Sequence, residues 1–202
     1  MRKGEATRAA ILEHGVELAT ETGLDGLTIG RLATDLGLSK SGLFAHFKSK
    51  EALQIQVLDA AAERFVDEVV RPAVKKPRGE PRLAALFERW LAWTKSNSGP
   101  GGCVFVAAAA ELDDRPGPVR DRLVALQKGW LEVVQTVFRT GVEERHFRSD
   151  VDAEQFAYDL YSVMLGFHHA ERLLRDPRAE ARANAAFERL LSTVRRNRRS
   201  AE

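Results

Sequence analysis

The chain has 202 residues, 44% hydrophobic and 30% charged, enough for one sizeable core or a small domain joined to a larger one. Its formal net charge is only +2, so affinity for an anionic partner must come from where charge sits, not from its total. The single cysteine, Cys103, excludes an intramolecular disulfide and a multi-cysteine metal centre; with no secretory h-region and no apolar run of transmembrane length, a cytoplasmic protein away from the membrane is expected.

Residues 7–22 place Ile11, Gly15, Leu18 and Ala19 at helical spacing, and Gly23 and Gly26 end that helix in a turn. Thr28 is the N-cap expected for a helix over 29–36, with Ile29, Leu32, Ala33 and Leu36 inward. Ser39 caps a helix over 40–46, with Leu43 and the following Phe47 inward. Ser49 caps a long helix running to Arg71, where Pro72 blocks continuation. The proline-rich and charged stretch 72–81 reads as a linker, and helices follow over 82–96, 104–112, 118–145, 152–175 and 178–197. The expected fold is all-α with about nine helices: a three-helix helix-turn-helix domain over 1–50 and a helical domain over 51–202.

The stretch 28–50 carries the chemistry. It reads as helix, tight turn at Gly37-Leu38-Ser39, then a short helix, the layout that lays its second helix in a DNA groove. From Leu36 to Lys50 there are three lysines and no acidic residue. A helix over 40–46 is too short to persist alone, and Gly42 weakens it by about 1 kcal/mol relative to alanine. Gly42 either avoids a clash with the preceding helix or lets the backbone approach a base edge or a phosphate. Lys50 sits at the positive end of the helix that Ser49 caps, an unfavourable place by ~0.3–1 kcal/mol. With Lys48, the unpaired N–H groups and the serine hydroxyl it makes a site for an external anion, a DNA phosphate. The alternative is two solvated lysines offset by Glu51.

The run ILEHGVELATETGLDGLTIGRLATDLGLSKSGLFAHFKSKEAL resembles the N-terminal domain of the tetracycline repressor (TetR) family of transcriptional regulators. The resemblance spans about Thr7 to Leu58. It implies a homodimer that binds double-stranded operator DNA, with a C-terminal domain holding the dimer interface and usually an inducer pocket. Carried over by position, Thr28, Ser39, Lys40, Ser41, Gly42, Phe44, His46 and Lys50 face DNA, with Lys40, Ser41 and Gly42 nearest base edges. Two positions depart from the family pattern. Phe44 stands where a tyrosine is usual, which removes a hydroxyl-to-phosphate bond. Gly30 stands where some members carry a base-reading arginine. Arg2, Lys3 and Arg8 are either further DNA contacts or a basic start of the chain.

In the C-terminal half, Gln155, Asp159, Ser162, Gly166 and Ala170 form a small or polar stripe, and Phe156, Leu160, Val163 and Phe167 an apolar one. Ala183, Ala186, Phe187, Leu190, Leu191 and Val194 line one face of the last helix. These stripes either fill the subunit's own core or form the homodimer interface, expected over about 152–197, where the family places it. Twelve of the fifteen aromatic residues lie beyond residue 80. That bias marks a core or an apolar cavity, with Trp90, Trp93, Phe105, Trp130, Phe138, Tyr161, Met164 and His168 as candidate ligand-lining residues. His168-His169 has no carboxylate or cysteine partner at ligand spacing beyond Glu171, so no metal and no cofactor is expected. No nucleophile–base constellation or phosphate loop marks a catalytic site, so an enzyme is not expected. The basic tail Arg195, Arg196, Arg198 and Arg199 suits a helix C-terminus in solvent. The reading is a ligand-responsive regulator, a repressor released by a small, largely apolar effector; the alternative is a DNA-bound regulator whose C-terminal domain binds a protein partner and no small molecule.

Overall fold

The computed structural model describes residues 3–96 and 101–196. Among them lie α1 (Lys3–Gly26), α2 (Ile29–Asp35), α3 (Lys40–Phe47), α4 (Lys50–Phe65), α5 (Arg71–Val74), α6 (Glu80–Ser96), α7 (Val104–Leu112), α8 (Pro118–Glu143), α9 (Ala153–Arg172) and α10 (Ala179–Val194). A π turn (Val66–Val70) joins α4 to α5 without a break, so the helices amount to nine rods. No strand occurs among the described residues beyond an isolated bridge between Phe147 and Arg195.

Pro72 does not end the long helix as expected; the chain stays helical to Val74. A proline lacks the N–H that would bond the carbonyl four residues back, and its ring crowds that carbonyl. The π turn immediately before α5 widens the helix there. The carbonyl four residues back is that of Glu68, and the Arg89 guanidinium donates to it at 3.1 Å.

The chain forms two compact units, one of residues 1–66 and 96–127, the other of 67–95 and 128–202. This differs from a boundary at residue 50, because α4, α7 and the start of α8 share one core with α1–α3. That core contains Ile11, Leu32, Leu43, Phe47, Leu53 and Val57 together with Val104, Ala108, Val119 and Leu123. Gly15 sets the approach of α1 to α4: a Cβ there would come within 2.8 Å of Val57 Cγ2.

The second unit is held by aromatic stacks. Phe87 lies on Phe187 with centroids 4.1 Å apart, and Phe138 lies on Phe156 at 4.3 Å and on Phe147 at 4.9 Å. Arg195 is not a solvated tail residue: it donates to Glu80 at 2.6 Å and pairs with Glu188, fastening the end of α10 to the start of α6. Arg198 and Arg199 lie outside the described residues.

The apolar stripes of the last two helices fill the protomer's own core. Phe156, Leu160 and Phe167 of α9 are buried, as are Ala183, Phe187, Leu191 and Val194 of α10. A different face of α9 stays open. It carries Tyr158, Ser162, Leu165, Gly166, His169 and Leu173, with Tyr158 67% and Leu173 70% exposed. A Cβ on Gly166 would meet nothing within 4 Å.

Candidate nucleic-acid interface and effector site

Three hydroxyl caps shape the segment from α2 to α4. Thr28 Oγ1 accepts from Arg31 N, Ser39 Oγ from Gly42 N and Ser49 Oγ from Ala52 N, each at 3.1 Å. Each cap fixes where its helix begins, as the hydroxyl pattern predicts. Leu43 and Phe47 are sunk in the core, so the opposite face of α3 is turned out. Thr28, Ser39, Lys40, Ser41, Gly42, Phe44, His46 and Lys50 are all exposed, Phe44 to 57%.

Gly42 does not stand off a neighbouring helix. Outside its own helix backbone and chain neighbours, the one atom among the described residues within 4 Å of a Cβ placed there is the Ser39 capping oxygen, at 3.0 Å. Gly30 is different, since a Cβ there would lie 3.5 Å from Lys40 Cε and 3.8 Å from its Nζ. The Lys40 side chain therefore lies across α2 where Gly30 leaves the surface bare. The turn from α3 to α4 is tight: Lys48 adopts φ 63, unusual for a residue with a side chain. Neither Lys40 nor Lys48 makes an ion pair among the described residues.

Lys50 is placed otherwise than an open anion site requires. Its ammonium donates to the Asp25 carbonyl at 2.8 Å and lies 3.6 Å from the Asp25 carboxylate. The hydrogen bond from Arg115, then the charges of Arg115 and Lys50, hold that carboxylate below its ordinary pKa. Glu111 of α7 accepts from Leu24 N at 3.2 Å and Asp25 N at 3.1 Å. Gly23, at φ 73, allows this, because a Cβ there would overlap the Glu111 carboxylate. Sequence reasoning missed this clamp, whose partners lie 86 and 87 positions apart. Of the N-terminal basic residues, Arg8 donates to Gln56 at 2.5 Å. Arg2 and the Lys3 side chain lie outside the described residues.

The candidate effector-lining residues separate into groups. Phe105 belongs to the first unit, where it meets Phe65 edge-on at 6.1 Å. Phe138 is locked between Phe147 and Phe156 and fills core. Trp90, Trp93, Trp130 and Met164 are buried in the second unit, and Tyr161 and His168 are half-buried there. His168 Nε2 is sealed from solvent and finds no hydrogen-bond partner among the described residues. Burial, then the charges of Arg172 and His169, press its pKa below the ordinary value, so the ring is neutral at pH 7. Thr94, not singled out by sequence reasoning, is 1% exposed, and its Oγ1 is likewise without a partner among the described residues. A hydroxyl four residues after Trp90 on an apolar helix face was the available signal. Leaving such a group unpaired costs about 1–3 kcal/mol, which a merely structural position has no reason to keep. Nearby, Lys95, Glu171, Arg175, Asp176, Pro177 and Glu180 line a cleft of about 280 Å³.

A family profile described as tetracyclin repressor-like, C-terminal domain matches residues 79–187. A second, described as bacterial regulatory proteins of the tetR family, matches residues 11–57. The chain belongs to the tetracycline repressor family. Among TetR-family relatives, the class C tetracycline repressor protein of Escherichia coli is 33% identical over 91 residues, 45% of this chain. The match spans about a third of that relative, 36% of its length. The transcriptional repressor KstR2 of Mycobacterium tuberculosis is 26% identical over 153 residues, 73% of this chain and 72% of that protein. The crystal structure of a TetR transcriptional regulator from Chloroflexus aurantiacus superposes with a TM-score of 0.85 at 27% identity, covering 98% of this chain and 100% of that one.

Proposed function

We propose that this TetR-family chain is a ligand-responsive transcriptional regulator, a repressor that binds a palindromic operator as a homodimer and is released by a small, largely apolar effector. The observation that carries the reading is the exposed face of α3. Three caps and two buried anchors leave Lys40, Ser41, Gly42, Phe44 and His46 outward together, with no carboxylate among them. A helix of this length reads only a few base pairs, so useful specificity needs a second copy related by a two-fold axis. The partner we assign to the open face of α9 is that second copy. No described helix is long and apolar enough to cross a membrane, and the open apolar face is read as a protein contact.

The effector acts, in this reading, by binding one arrangement of the dimer better than the other; a ligand with equal affinity for both shifts nothing. The continuous helix of α4 with its π turn, and α8, each contribute residues to both units. The unpartnered polar atoms in the second unit favour a small-molecule site over a closed core that serves only protein contacts.

The test is a fluorescence-anisotropy titration against DNA flanking the protein's own gene, at several salt concentrations. Tight binding to one palindromic segment, weakening steeply with salt, is expected. Replacing Lys40 and Ser41 together should reduce binding to the level of random DNA. Weak and sequence-indifferent binding by the unaltered protein would sink the reading.

A further inference from the structure

Every polar group of Asp25, in the turn between α1 and α2, has a partner from elsewhere in the first unit. Its N–H donates to Glu111 of α7 at 3.1 Å, and its carbonyl accepts from the Lys50 ammonium at 2.8 Å. Its carboxylate stands between two cations: Oδ2 pairs with Arg115, and Oδ1 lies 3.6 Å from Lys50 Nζ. Glu111 also holds the Leu24 N–H, and Gln54 of α4 donates to the Leu24 carbonyl at 2.6 Å. The turn that carries this carboxylate is therefore fastened on two sides. The Arg115 hydrogen bond keeps the group below its ordinary pKa, so it is ionised at pH 7.

The two cations hold that carboxylate unequally. Arg115 makes a direct hydrogen bond to Oδ2, whereas 3.6 Å between Lys50 and Oδ1 is an ion pair without one. All three side chains are exposed, where an ion pair is weak and readily exchanged. Lys50 also opens α4. Ser49 bonds the Ala52 amide through its hydroxyl and the Leu53 amide through its carbonyl. The amides of Lys50 and Glu51 lie ahead of these, with no carbonyl of their own helix to bond. A helix start with open amides and a lysine attracts an anion. Among the described residues, the anion paired with that lysine is Asp25. A DNA phosphate is an oxyanion seeking the same ammonium, and one positive charge cannot neutralise both.

We propose that Asp25 is a built-in competitor for DNA: its carboxylate holds the Lys50 ammonium in the free protein, a DNA phosphate takes that ammonium on binding, and the carboxylate is left to Arg115. The proposal rests on the DNA-binding reading above and adds to it an acidic residue that limits how tightly DNA is held. Phosphate contacts carry no sequence information, so Asp25 lowers affinity for all sequences alike. The test is fluorescence anisotropy of the full-length protein on the flanking palindromic segment and on a mixed-sequence duplex. Asp25→Asn removes the charge and keeps the backbone bonds to Glu111 and Lys50. It should tighten binding to both duplexes by the same factor, about threefold or more. Arg115→Gln, which leaves the carboxylate to Lys50 alone, should weaken both. In a Lys50→Met background either change should lose most of its effect, because both act through that ammonium. Asp25→Asn should also unfold at lower urea than the unaltered protein, so affinity and stability move in opposite directions; a residue that merely shapes the turn would lower both. Unchanged or weaker DNA binding by Asp25→Asn, or a gain of the same size in the Lys50→Met background, overturns the proposal. Either result together with a clear preference for the palindrome removes the role of Asp25 and leaves the regulator. No preference for the palindrome sinks the regulator reading, while the mixed-sequence duplex still decides this one. Failure to bind either duplex overturns both.

Discussion

In the proposed DNA interface, Lys40 of one helix fills the space that Gly30 leaves on another. The lysine stem crosses the bare surface at Gly30, so its ammonium occupies the space a long side chain at position 30 would sweep. Lys40→Ala should therefore relax preference at one base pair, by roughly 1–3 kcal/mol, and not weaken binding evenly across all sequences. Gly30→Arg should fold normally, displace the lysine and change which base is preferred, as selection from randomised operators would show. Asp25 gives a pH signature. Its folded pKa is depressed, so the stability it contributes is present above the unfolded value and is lost as pH falls through the folded one. Asp25→Asn should lower the unfolding free energy at neutral pH, by less than about 1 kcal/mol because the group is exposed. That difference should close below pH 3.8, the ordinary value. A gap that persists in acid would mean that Asp25 acts through shape and not through charge.

At the scale of elements, hydroxyl caps and apolar spacing were legible: Thr28, Ser39 and Ser49 each begin a helix where the sequence places one. What stayed hidden depends on partners far along the chain. Pro72 reads as a stop because sequence shows the missing N–H but not Arg89, which takes its place at the Glu68 carbonyl. Lys50 reads as an open cation because nothing local reveals that the Asp25 carbonyl meets it. Buried stripes in α9 and α10 were equally ambiguous, since an apolar period identifies a covered face without saying what covers it. The Pro72 account is testable by a double-mutant cycle in urea. Arg89→Met should cost about 1 kcal/mol in the unaltered protein and less in a Pro72→Ala background, where a backbone N–H again serves the carbonyl. Equal costs in both backgrounds would show that Arg89 stabilises the unit for some other reason.

For the whole molecule, the open face of α9 allows assembly to be separated from folding. Gly166→Arg adds bulk where a Cβ meets empty space, so the single chain should fold with its stability within about 0.5 kcal/mol. Sedimentation should then report a monomer, and operator affinity should fall by at least about a hundredfold because one reading head remains. A dimer that survives would place the interface elsewhere. The first unit has a further consequence for engineering, because it is assembled from two stretches of chain with about thirty residues of the other unit between them. Val104, Ala108, Val119 and Leu123 complete its interior, and Glu111 and Arg115 hold the turn that precedes Thr28. A reading head cut out at residue 50 and grafted onto another regulator would arrive with an uncovered flank and an unfastened hinge. The transplantable part of this protein is a pair of segments, and a chimera that moves only the first would inherit the proposed DNA-facing residues without the packing that holds them in place.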